Sequence, residues 1–485
     1  MKTRAPKSLM LAFYGDDFTG STDVMESLAG AGLKTVLFLA PPSPAQLQSF
    51  PGLRAFGIAG GTRAMSRAEM KRELPPAFRA LKASNAPIIH YKTCSTFDSS
   101  PTIGSIGYAL ELGRRVFGER CIPLVVGVPV LGRYVVFGNL FARSGLDSEP
   151  TRLDRHPTMS RHPVTPMDES DLRVHLNRQT DLPIELIDIL TLRALGRNGG
   201  SARGRTGDPK AEISSGFLDE MNKSGNGKRR PIVLLDLLAE EDLAIIGRLL
   251  AREVSPGKPL FCAGSSGIEY ALLAHWRTIG RVPAKTADVH RHRSAARSSK
   301  QIVVISGSCS PVTDRQIGRA LEVGFFEVAC DSERLADPRH QAVAIQQALA
   351  TAHVALAAGR NVIFHTARGP LDSRYLQFAR GTGKPSRTKR EERISAGGAR
   401  LAVSLAEILE SALRLTKSRR AVVCGGDTST HVARFLGMEA LEFVAPVAPG
   451  APLCRVHAPG RIVHGCEIVF KGGQIGRDAF FSDLV

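Results

Sequence analysis

The chain alternates short apolar runs with longer amphipathic stretches, beginning with LMLAF at residues 9–13. In the next stretch, STDVMESLAGAG, the residues Val24, Met25 and Leu28 share one helical face, and Gly32 is a stop signal. LKTVLFL then returns as a second apolar run. The pattern therefore predicts a strand, a helix and a second strand, which is the βαβ unit typical of parallel sheets.

The same alternation continues along the rest of the chain. The strand-like runs include AFGIAG, PIIHYKT, IPLVVGVPVL, IELIDIL, PIVLLDLL and PLFCAG, followed by QIVVISG, FFEVAC, NVIFHTA and AVVCGG. Near-continuous apolar strands separated by helices are typical of sheets that are covered on both faces. The sequence therefore predicts an α/β fold with mainly parallel sheets.

One segment divides these runs into two groups. Residues 278–300 are polar, basic and weakly periodic, which predicts a linker between an α/β domain at 1–277 and another at 301–485. A Gly/Arg-rich stretch at about 197–230 predicts a basic surface insertion in the first domain. Because ligands bind at the carboxyl ends of parallel strands, we expect an active-site cleft between the two domains.

Composition narrows the class of protein. The chain has 485 residues, of which 43% are hydrophobic, and its net charge of +18 raises nucleic acid as a partner. Much of the excess charge lies in loop-like segments that lack interleaved aromatics and match no helix-turn-helix or finger pattern, so attraction of small anions is favoured. The N-terminal apolar run is interpreted as a strand and not as a signal peptide, and no run is long enough to span a bilayer. These features predict a cytoplasmic protein.

Adjacent carboxylates follow the first predicted strand, in the sequence YGDDFTGSTD. Asp16 and Asp17 would repel a phosphate, so this strand-to-helix turn is not expected to cradle one. Carboxylates there can accept hydrogen bonds from sugar hydroxyls or remove a proton from one. A helix N-cap is the competing explanation, and it accounts for one aspartate more readily than for two.

Two further strand ends carry side chains suited to a small hydroxylated anion. Arg63, in GIAGGTR, could bind a carboxylate through two parallel hydrogen bonds, although a surface position on the next helix is an equally good explanation. The segment HYKTCSTFDSS is denser in polar groups. Its candidate ligand-binding residues are Lys92, Ser95, Thr96 and Asp98.

The second half of the chain contains three glycine-rich turns that follow strands. Such turns, with a helix N-terminus behind them, are suited to binding phosphate. None is a Walker loop or a dinucleotide fingerprint, and each alone is more readily explained as a tight turn, whereas three of them in one domain favour phosphate binding. The candidate residues are Ser306 and Ser308 in the first turn, Gly425, Gly426, Asp427 and Thr428 in the second, and Gly472 and Gly473, beside Lys471, in the third.

Together these motifs resemble the four-carbon acid sugar kinase family. The resemblance covers DDFTGSTD, the Thr62-Arg63 turn, YKTCSTFDSS, HPVTPMDESDL, SGSCSPVTDRQI and GGDTS, in order over nearly the whole chain. It implies a substrate-binding N-terminal domain and an ATP-binding C-terminal domain. It also implies transfer of the γ-phosphate to the terminal 4-hydroxyl of an acid such as 3-oxo-tetronate, threonate or erythronate.

The resemblance also assigns residues. It implies that ATP contacts Ser308 or Ser306, the Gly425–Thr428 turn and the Gly472-Gly473 turn, with Mg²⁺ bridging the phosphates. The closing motif departs from the family pattern, because GGQIG stands where the family more usually has Gly-Asn-Phe-Gly. An extra RHPTMS before the family's His-Pro is a second departure, and it could mark a different substrate.

Within the kinase interpretation, Asp17 or Asp16 is expected to bind the acceptor hydroxyl and to act as general base. Arg63 and Lys92 are expected to hold the substrate carboxylate, while the hydroxyl-rich segment orients the hydroxyls. The alternatives are a kinase of the same fold for another hydroxy acid, a dinucleotide-dependent dehydrogenase, and a non-enzymatic nucleic-acid binder. The expected partners are the sugar acid and ATP, with neither nucleic acid nor membrane, and a homodimer is compatible with the sequence.

Overall fold

The computed structural model describes residues 9–144, 148–161, 165–197, 230–284, 301–380, 387–416 and 418–485. Most of the predicted basic insertion (198–229) and of the predicted linker (285–300) lies outside the described residues. The chain divides into two compact units, one comprising Met1–Val36 with Ala40–Lys285, and the other comprising Leu37–Leu39 with Thr286–Val485.

The first unit contains a mainly parallel sheet with strand order β2-β3-β1-β4-β11-β5-β10-β9, and a small antiparallel sheet of β6, β7 and β8. The strands are Leu11–Gly15 (β1), Thr35–Phe38 (β2), Ala55–Ala59 (β3), Ile88–Lys92 (β4), Ile122–Val125 (β5), Arg133–Val136 (β6), Asn139–Ala142 (β7), Thr151–Arg152 (β8), Ile184–Ile187 (β9), Ile232–Leu235 (β10) and Leu260–Gly264 (β11). All residues of β1, β3, β4 and β11 are buried, as expected of central parallel strands.

Helices follow most of these strands. They are Phe18–Gly30 (α1), Pro44–Gln48 (α2), Arg67–Ala83 (α3), Ile106–Phe117 (α4), Leu172–Asn177 (α5), Ile189–Arg197 (α6), Glu240–Arg252 (α7) and Gly267–Thr278 (α8), with short 3₁₀ turns at Thr62–Ala64, Pro129–Leu131, Leu153–Arg155 and Met159–Arg161. The predicted apolar face of α1 is confirmed, because Val24, Met25 and Leu28 are fully buried. The predicted stop is also present, since Gly32 follows the helix with φ +82°.

The parallel register aligns the carboxyl ends of five neighbouring strands. Gly15 at the end of β1 pairs with Ala59 of β3 and with Lys92 of β4. Gly264 at the end of β11 pairs with Lys92 and with Val125 of β5. The polar segments that follow these strands therefore begin at one edge of the sheet, as expected of a parallel α/β unit.

The second unit has the strand order β13-β14-β12-β15-β18-β17-β16. The first five strands in this order pair in parallel, and β17 is antiparallel to both of its neighbours. The strands are Val303–Ser306 (β12), Phe326–Ala329 (β13), Val362–His365 (β14), Arg420–Cys424 (β15), Ala440–Ala448 (β16), Ala451–His457 (β17) and Glu467–Lys471 (β18). The helices are Pro311–Glu322 (α9), Ser332–Ala336 (α10), Gln341–Ala357 (α11), Ser373–Arg380 (α12), Arg387–Leu415 (α13) and Gly426–Phe435 (α14), with a 3₁₀ turn at Ser482–Leu484.

The predicted α/β class, with two units and mainly parallel sheets, is confirmed. Among the helices that the structure describes, none is both long enough and apolar enough to cross a membrane.

Gly264 provides a test of the strand-end geometry. Its φ of +139° is unfavourable for other residues, and a Cβ there would lie 1.8 Å from the carbonyl oxygen of Val125. Because backbone cannot move aside cheaply, we expect Gly264→Ala to destabilise the protein by about 2–4 kcal/mol, measured by chemical denaturation. Gly30→Ala is the matched control, since a Cβ at Gly30 meets nothing within 4 Å. Equal stabilities of the two variants would contradict this account.

Candidate active site

Asp17 caps helix α1. Its backbone is extended, and its Oδ1 accepts a hydrogen bond from the backbone N–H of Gly20 at 2.9 Å. The Thr19 hydroxyl donates to the second carboxylate oxygen at 2.8 Å. The N-cap explanation therefore accounts for Asp17, as the sequence allowed, and it leaves Asp16 to be explained separately.

Asp16 is buried at the end of β1, and its Oδ1 has no hydrogen-bond partner in the structure. Burial raises the pKa of Asp16 to about 7, and the charge of Asp17 adds to this effect against the opposing charge of Arg63. Asp17 behaves in the opposite way. Burial disfavours its charged form, but the charges of Arg63 and Lys92, together with the hydrogen bonds from Thr19 and Gly20, outweigh burial and lower the pKa of Asp17. Adjacent carboxylates thus differ in their affinity for a proton.

Arg63 links three predicted site residues. Its Nη2 lies 3.6 Å from Asp16 Oδ1 and 3.2 Å from Asp17 Oδ1, and its Nε lies 4.0 Å from Asp98 Oδ2. Its backbone N–H donates to the carbonyl of Asp16 at 3.0 Å, which ties the turn after β3 to the end of β1. The alternative position for Arg63, on the surface of the next helix, is wrong. The residue lies in the Thr62–Ala64 turn and pairs with buried carboxylates.

Lys92 is buried at the end of β4, where its ammonium donates to the carbonyl of Thr93 at 2.9 Å. It reaches the start of α1 only because residue 20 is glycine. A Cβ on Gly20 would lie 3.0 Å from Lys92 Nζ and 2.3 Å from Asp17 Oδ1. The glycine in DDFTGS therefore makes room for a lysine and a carboxylate together.

The segment after β4 brings the remaining predicted residues to the same edge. Thr96 donates from its hydroxyl to Asp98 Oδ1 at 2.6 Å, and Ser95 lies half-buried beside it. Phe97, between Thr96 and Asp98, has φ +55° although it is not glycine, and its side chain is completely buried. Backbone strain of this kind persists only where the surroundings hold it in place, and it is frequent at functional sites.

A buried polar network holds this segment in place, and the sequence did not reveal it. Gln179 donates from its amide to Ser99 Oγ at 2.9 Å, and Ser99 Oγ lies 2.9 Å from His175 Nε2. Burial, with the charge of Arg178, lowers the pKa of His175 to about 4, so the ring is neutral at physiological pH. The spacing of His175 and Gln179, four residues apart around the end of α5, was the available signal. It did not indicate which residue they contact.

Asp23 is a further residue that the sequence did not single out. Burial raises its pKa, while the nearby charge of Lys92 opposes the shift. It lies in the second turn of α1. Its membership in the site depends on Lys92 reaching across to α1.

The three glycine-rich turns of the second unit are joined by hydrogen bonds. The N–H of Gly307 donates to the carbonyl of Cys424 at 3.0 Å, and the N–H of Gly425 donates to the carbonyl of Lys471 at 2.9 Å. The hydroxyl of Thr313 donates to the carbonyl of Gly473 at 2.9 Å. The ends of β12, β15 and β18 therefore form one group.

Close packing explains the glycines. A Cβ on Gly307 would lie 2.3 Å from Thr428 Oγ1, and one on Gly425 would lie 2.9 Å from the same atom. A Cβ on Gly473 would lie 2.6 Å from Ser308 Oγ. The glycines therefore bring the hydroxyls of Thr428 and Ser308 against the neighbouring turns.

The remaining predicted nucleotide residues occupy different environments. Ser306 is completely buried at the end of β12, whereas Gly426 and Asp427 are exposed at the start of α14. Gly472 is half-buried. Within the described ranges, no group of three or more His, Cys, Asp or Glu side chains could hold a metal ion by itself. Asp427 is therefore a single carboxylate, which suits a cation held mainly by phosphate oxygens.

Comparison with known proteins identifies both halves of the chain. Residues 11–272 match the family model described as "Sugar-binding N-terminal domain", and residues 303–481 match the one described as "Nucleotide-binding C-terminal domain". A 3-oxo-isoapionate kinase from Paraburkholderia graminis is 44% identical over 480 residues, which cover 99% of this chain and 95% of the relative. A 3-oxo-tetronate kinase from Methylobacterium radiotolerans is 30% identical over 476 residues, which cover 98% of each protein.

Solved structures share the fold. A crystal structure of a Salmonella typhimurium LT2 protein has a TM-score of 0.71 at 23% identity, and one of a Haemophilus influenzae protein has a TM-score of 0.67 at 21% identity. In both comparisons 98% of each chain is covered.

Asp16 provides a test of the site's electrostatics. Because its pKa is about 7 in the folded chain and near 3.8 when exposed, the folded protein holds this proton more tightly, and stability falls as pH rises from about 4 to 7. We expect Asp16→Asn to raise the free energy of unfolding by about 1–3 kcal/mol at pH 8 and to change it little at pH 4. Denaturation curves at both pH values measure this. A variant that is less stable than wild type at pH 8 would contradict the assignment.

Proposed function

Because the chain belongs to the four-carbon acid sugar kinase family, we propose that it transfers the γ-phosphate of ATP to the terminal hydroxyl of a 3-oxo sugar acid. The observation that carries the proposal is the group of two carboxylates and two cations, Asp16, Asp17, Arg63 and Lys92, at one sheet edge. A sugar acid requires cations for its carboxylate and hydrogen-bond acceptors for its hydroxyls, and this group supplies both.

The proposed acceptor is 3-oxo-isoapionate, with 3-oxo-tetronate as the second candidate. The supporting observation is the higher identity to the 3-oxo-isoapionate kinase, 44% against 30% for the 3-oxo-tetronate kinase from Methylobacterium radiotolerans. D-Threonate and D-erythronate lack the 3-oxo group, so they serve as the comparison acids.

In this proposal Arg63 and Lys92 bind the substrate carboxylate. Both cations already face the carboxylates of Asp16 and Asp17, so these four side chains carry no excess of positive charge. The carboxylate of the substrate adds a further negative charge to them. Thr96 and Asp98, which are hydrogen-bonded to each other, orient substrate hydroxyls together with Ser95.

Asp16 is the proposed general base. Its Oδ1 has no hydrogen-bond partner, whereas Asp17 is engaged by Gly20, Thr19 and Arg63. A base works best when its pKa is near the working pH, and the pKa of Asp16 is about 7. Asp17 then fixes the start of α1 and holds Arg63 in position.

The nucleotide is proposed to bind at the three turns of the second unit. Ser308 and the Gly472-Gly473 turn contact phosphate, together with residues 425–428. Ser306, which is completely buried, supports the first turn by accepting a hydrogen bond from the Ser308 N–H. Mg²⁺ would be held by phosphate oxygens and Asp427, and when bound it supplies neutralisation of the phosphate charge. The exposure of Gly426 and Asp427 at the N-terminus of α14 supports this assignment, because the free N–H groups there attract anions.

ADP release from purified protein tests the reaction and the acceptor together. The assay contains magnesium-ATP and, separately, 3-oxo-isoapionate, 3-oxo-tetronate, D-threonate or D-erythronate. We expect kcat/KM to be highest for 3-oxo-isoapionate, by about tenfold or more, because a shaped polar pocket rejects analogues that leave its groups unpaired. A preference for 3-oxo-tetronate would overturn the acceptor while keeping the reaction. No ADP release with any of the four acids would overturn the proposal.

Paired aspartate variants test the assignment of the base. We expect Asp16→Asn to lower kcat by about 10²–10⁴-fold, and Asp17→Asn to raise KM with a smaller loss of kcat, because Asn also caps a helix. In the wild type, kcat/KM should fall as pH drops below about 7, since protonated Asp16 cannot accept a proton. An Asp16→Asn enzyme that retains kcat and the wild-type pH profile would exclude Asp16 as the base.

A further inference from the structure

Lys471 is a buried cation to which the proposed function assigns no role. It is the last residue of β18, its side chain is completely buried, and it immediately precedes the Gly472-Gly473 turn. Its ammonium donates to Thr313 Oγ1 at 3.2 Å and to the carbonyl of Gly472 at 3.1 Å. Both acceptors are neutral, so neither balances its charge.

No carboxylate compensates this charge in the described part of the chain. None of the ion pairs formed there includes Lys471, and burial lowers the pKa of its ammonium with only Cys424 opposing the shift. Burial also raises the pKa of Cys424, to about 11, so that thiol is neutral at physiological pH. The face of the Phe480 ring, 5.6 Å from Nζ, offers partial compensation. Lys92, the buried lysine of the first unit, differs because carboxylates surround it.

An unpaired buried ammonium is costly to the folded protein, because it loses its hydration without gaining a counter-charge. Replacement of this lysine by an apolar residue would remove the cost. Its presence is explained if a ligand supplies the negative charge. The surroundings of Nζ indicate what kind of ligand that is.

Lys471 lies close to three groups that are suited to binding an anion. Thr313, its acceptor, is in the first turn of α9, a helix of 12 residues whose N-cap is Ser310. The Thr313 hydroxyl also lies 3.2 Å from Ser308 Oγ and donates to the carbonyl of Gly473. The Thr313 side chain therefore connects the ammonium to a serine hydroxyl, a glycine turn and a helix N-terminus. Each of these groups can contact phosphate.

We propose that Lys471 supplies the positive charge for a nucleotide phosphate that contacts both Ser308 and the Gly472-Gly473 turn, at the N-terminus of α9. This inference rests on the proposed function, because it assumes that the second unit binds ATP. Lys471 acts from below the turn, by its charge and by holding the Thr313 hydroxyl. The phosphate becomes the counter-ion that the protein itself does not provide.

Two substitutions at residue 471 separate charge from structure. Lys471→Gln removes the charge and keeps an amide that can donate to Thr313 and Gly472, and Lys471→Met removes both. Calorimetry with ATP and with adenosine then distinguishes phosphate from base contacts. Arg319→Met is the control for loss of one positive charge, because Arg319 is exposed on the same helix, α9, and pairs with Glu322.

We expect both substitutions to raise the dissociation constant for ATP by about 10–100-fold, with adenosine changed by less than about twofold, since only ATP carries phosphate. The KM for ATP should rise while the KM for the sugar acid stays unchanged. The midpoint of thermal unfolding without ligand should not fall, because an uncompensated charge has been removed. Arg319→Met should bind ATP like the wild type.

Two outcomes overturn the inference. ATP affinity within about threefold of wild type in Lys471→Gln would show that the charge is not used, and an equal loss for ATP and adenosine would indicate a structural role. If only one variant folds, that variant alone decides between these results. Failure of the proposed function is distinguishable, because the wild-type protein would then bind no ATP.

Discussion

The parallel pairing of β1 between β3 and β4 is the constraint on which the candidate site depends. It aligns Gly15 with Ala59 and with Lys92, so that the residues following three separate strands begin at the same level. A shift of β4 by one residue would move Lys92 to the opposite face of the sheet, because side chains alternate with a period of two. Buried strands fix the register strongly, since every residue of β1, β3 and β4 is inside. The packing of the core therefore positions the charged groups, which contribute little to that choice themselves.

The strand pairing places the carboxylates of Asp16 and Asp17 in buried positions, where burial disfavours their charged forms. Asp17 is compensated by Arg63, Lys92 and the start of α1, and its charged form is stabilised. Asp16 is compensated less and holds a proton near neutral pH. A protein optimised only for stability would not keep an acid in this condition. The difference between two adjacent carboxylates is therefore better explained by chemistry than by folding, which is consistent with membership in a kinase family.

The sequence predicted the parts of the molecule that local pattern determines. Apolar runs indicated the central strands, the glycine after α1 indicated its end, and the α/β class and the sugar-acid kinase class are confirmed. The sequence alone does not decide between a ligand-binding and a surface position for Arg63, because its carboxylate partners lie in the segments that follow other strands. His175 and Gln179 were missed for the same reason, since their contacts with Ser99 join residues more than 70 positions apart. Local sequence pattern predicts the helices and strands, but it does not predict the side-chain contacts that tertiary packing creates.

Buried lysines end a strand in each unit, and the comparison between them links charge to ligand. Lys92 lies among carboxylates, so the protein balances its charge. A substrate that binds there meets polar side chains whose charges nearly cancel. Lys471 has neutral hydrogen-bond partners, so its charge is left for a ligand to balance. A hydroxylated monoanion suits the first environment, and a polyanion such as a nucleotide phosphate suits the second. Local charge balance at a strand end is thus a physical reason why two similar α/β units would bind chemically different ligands.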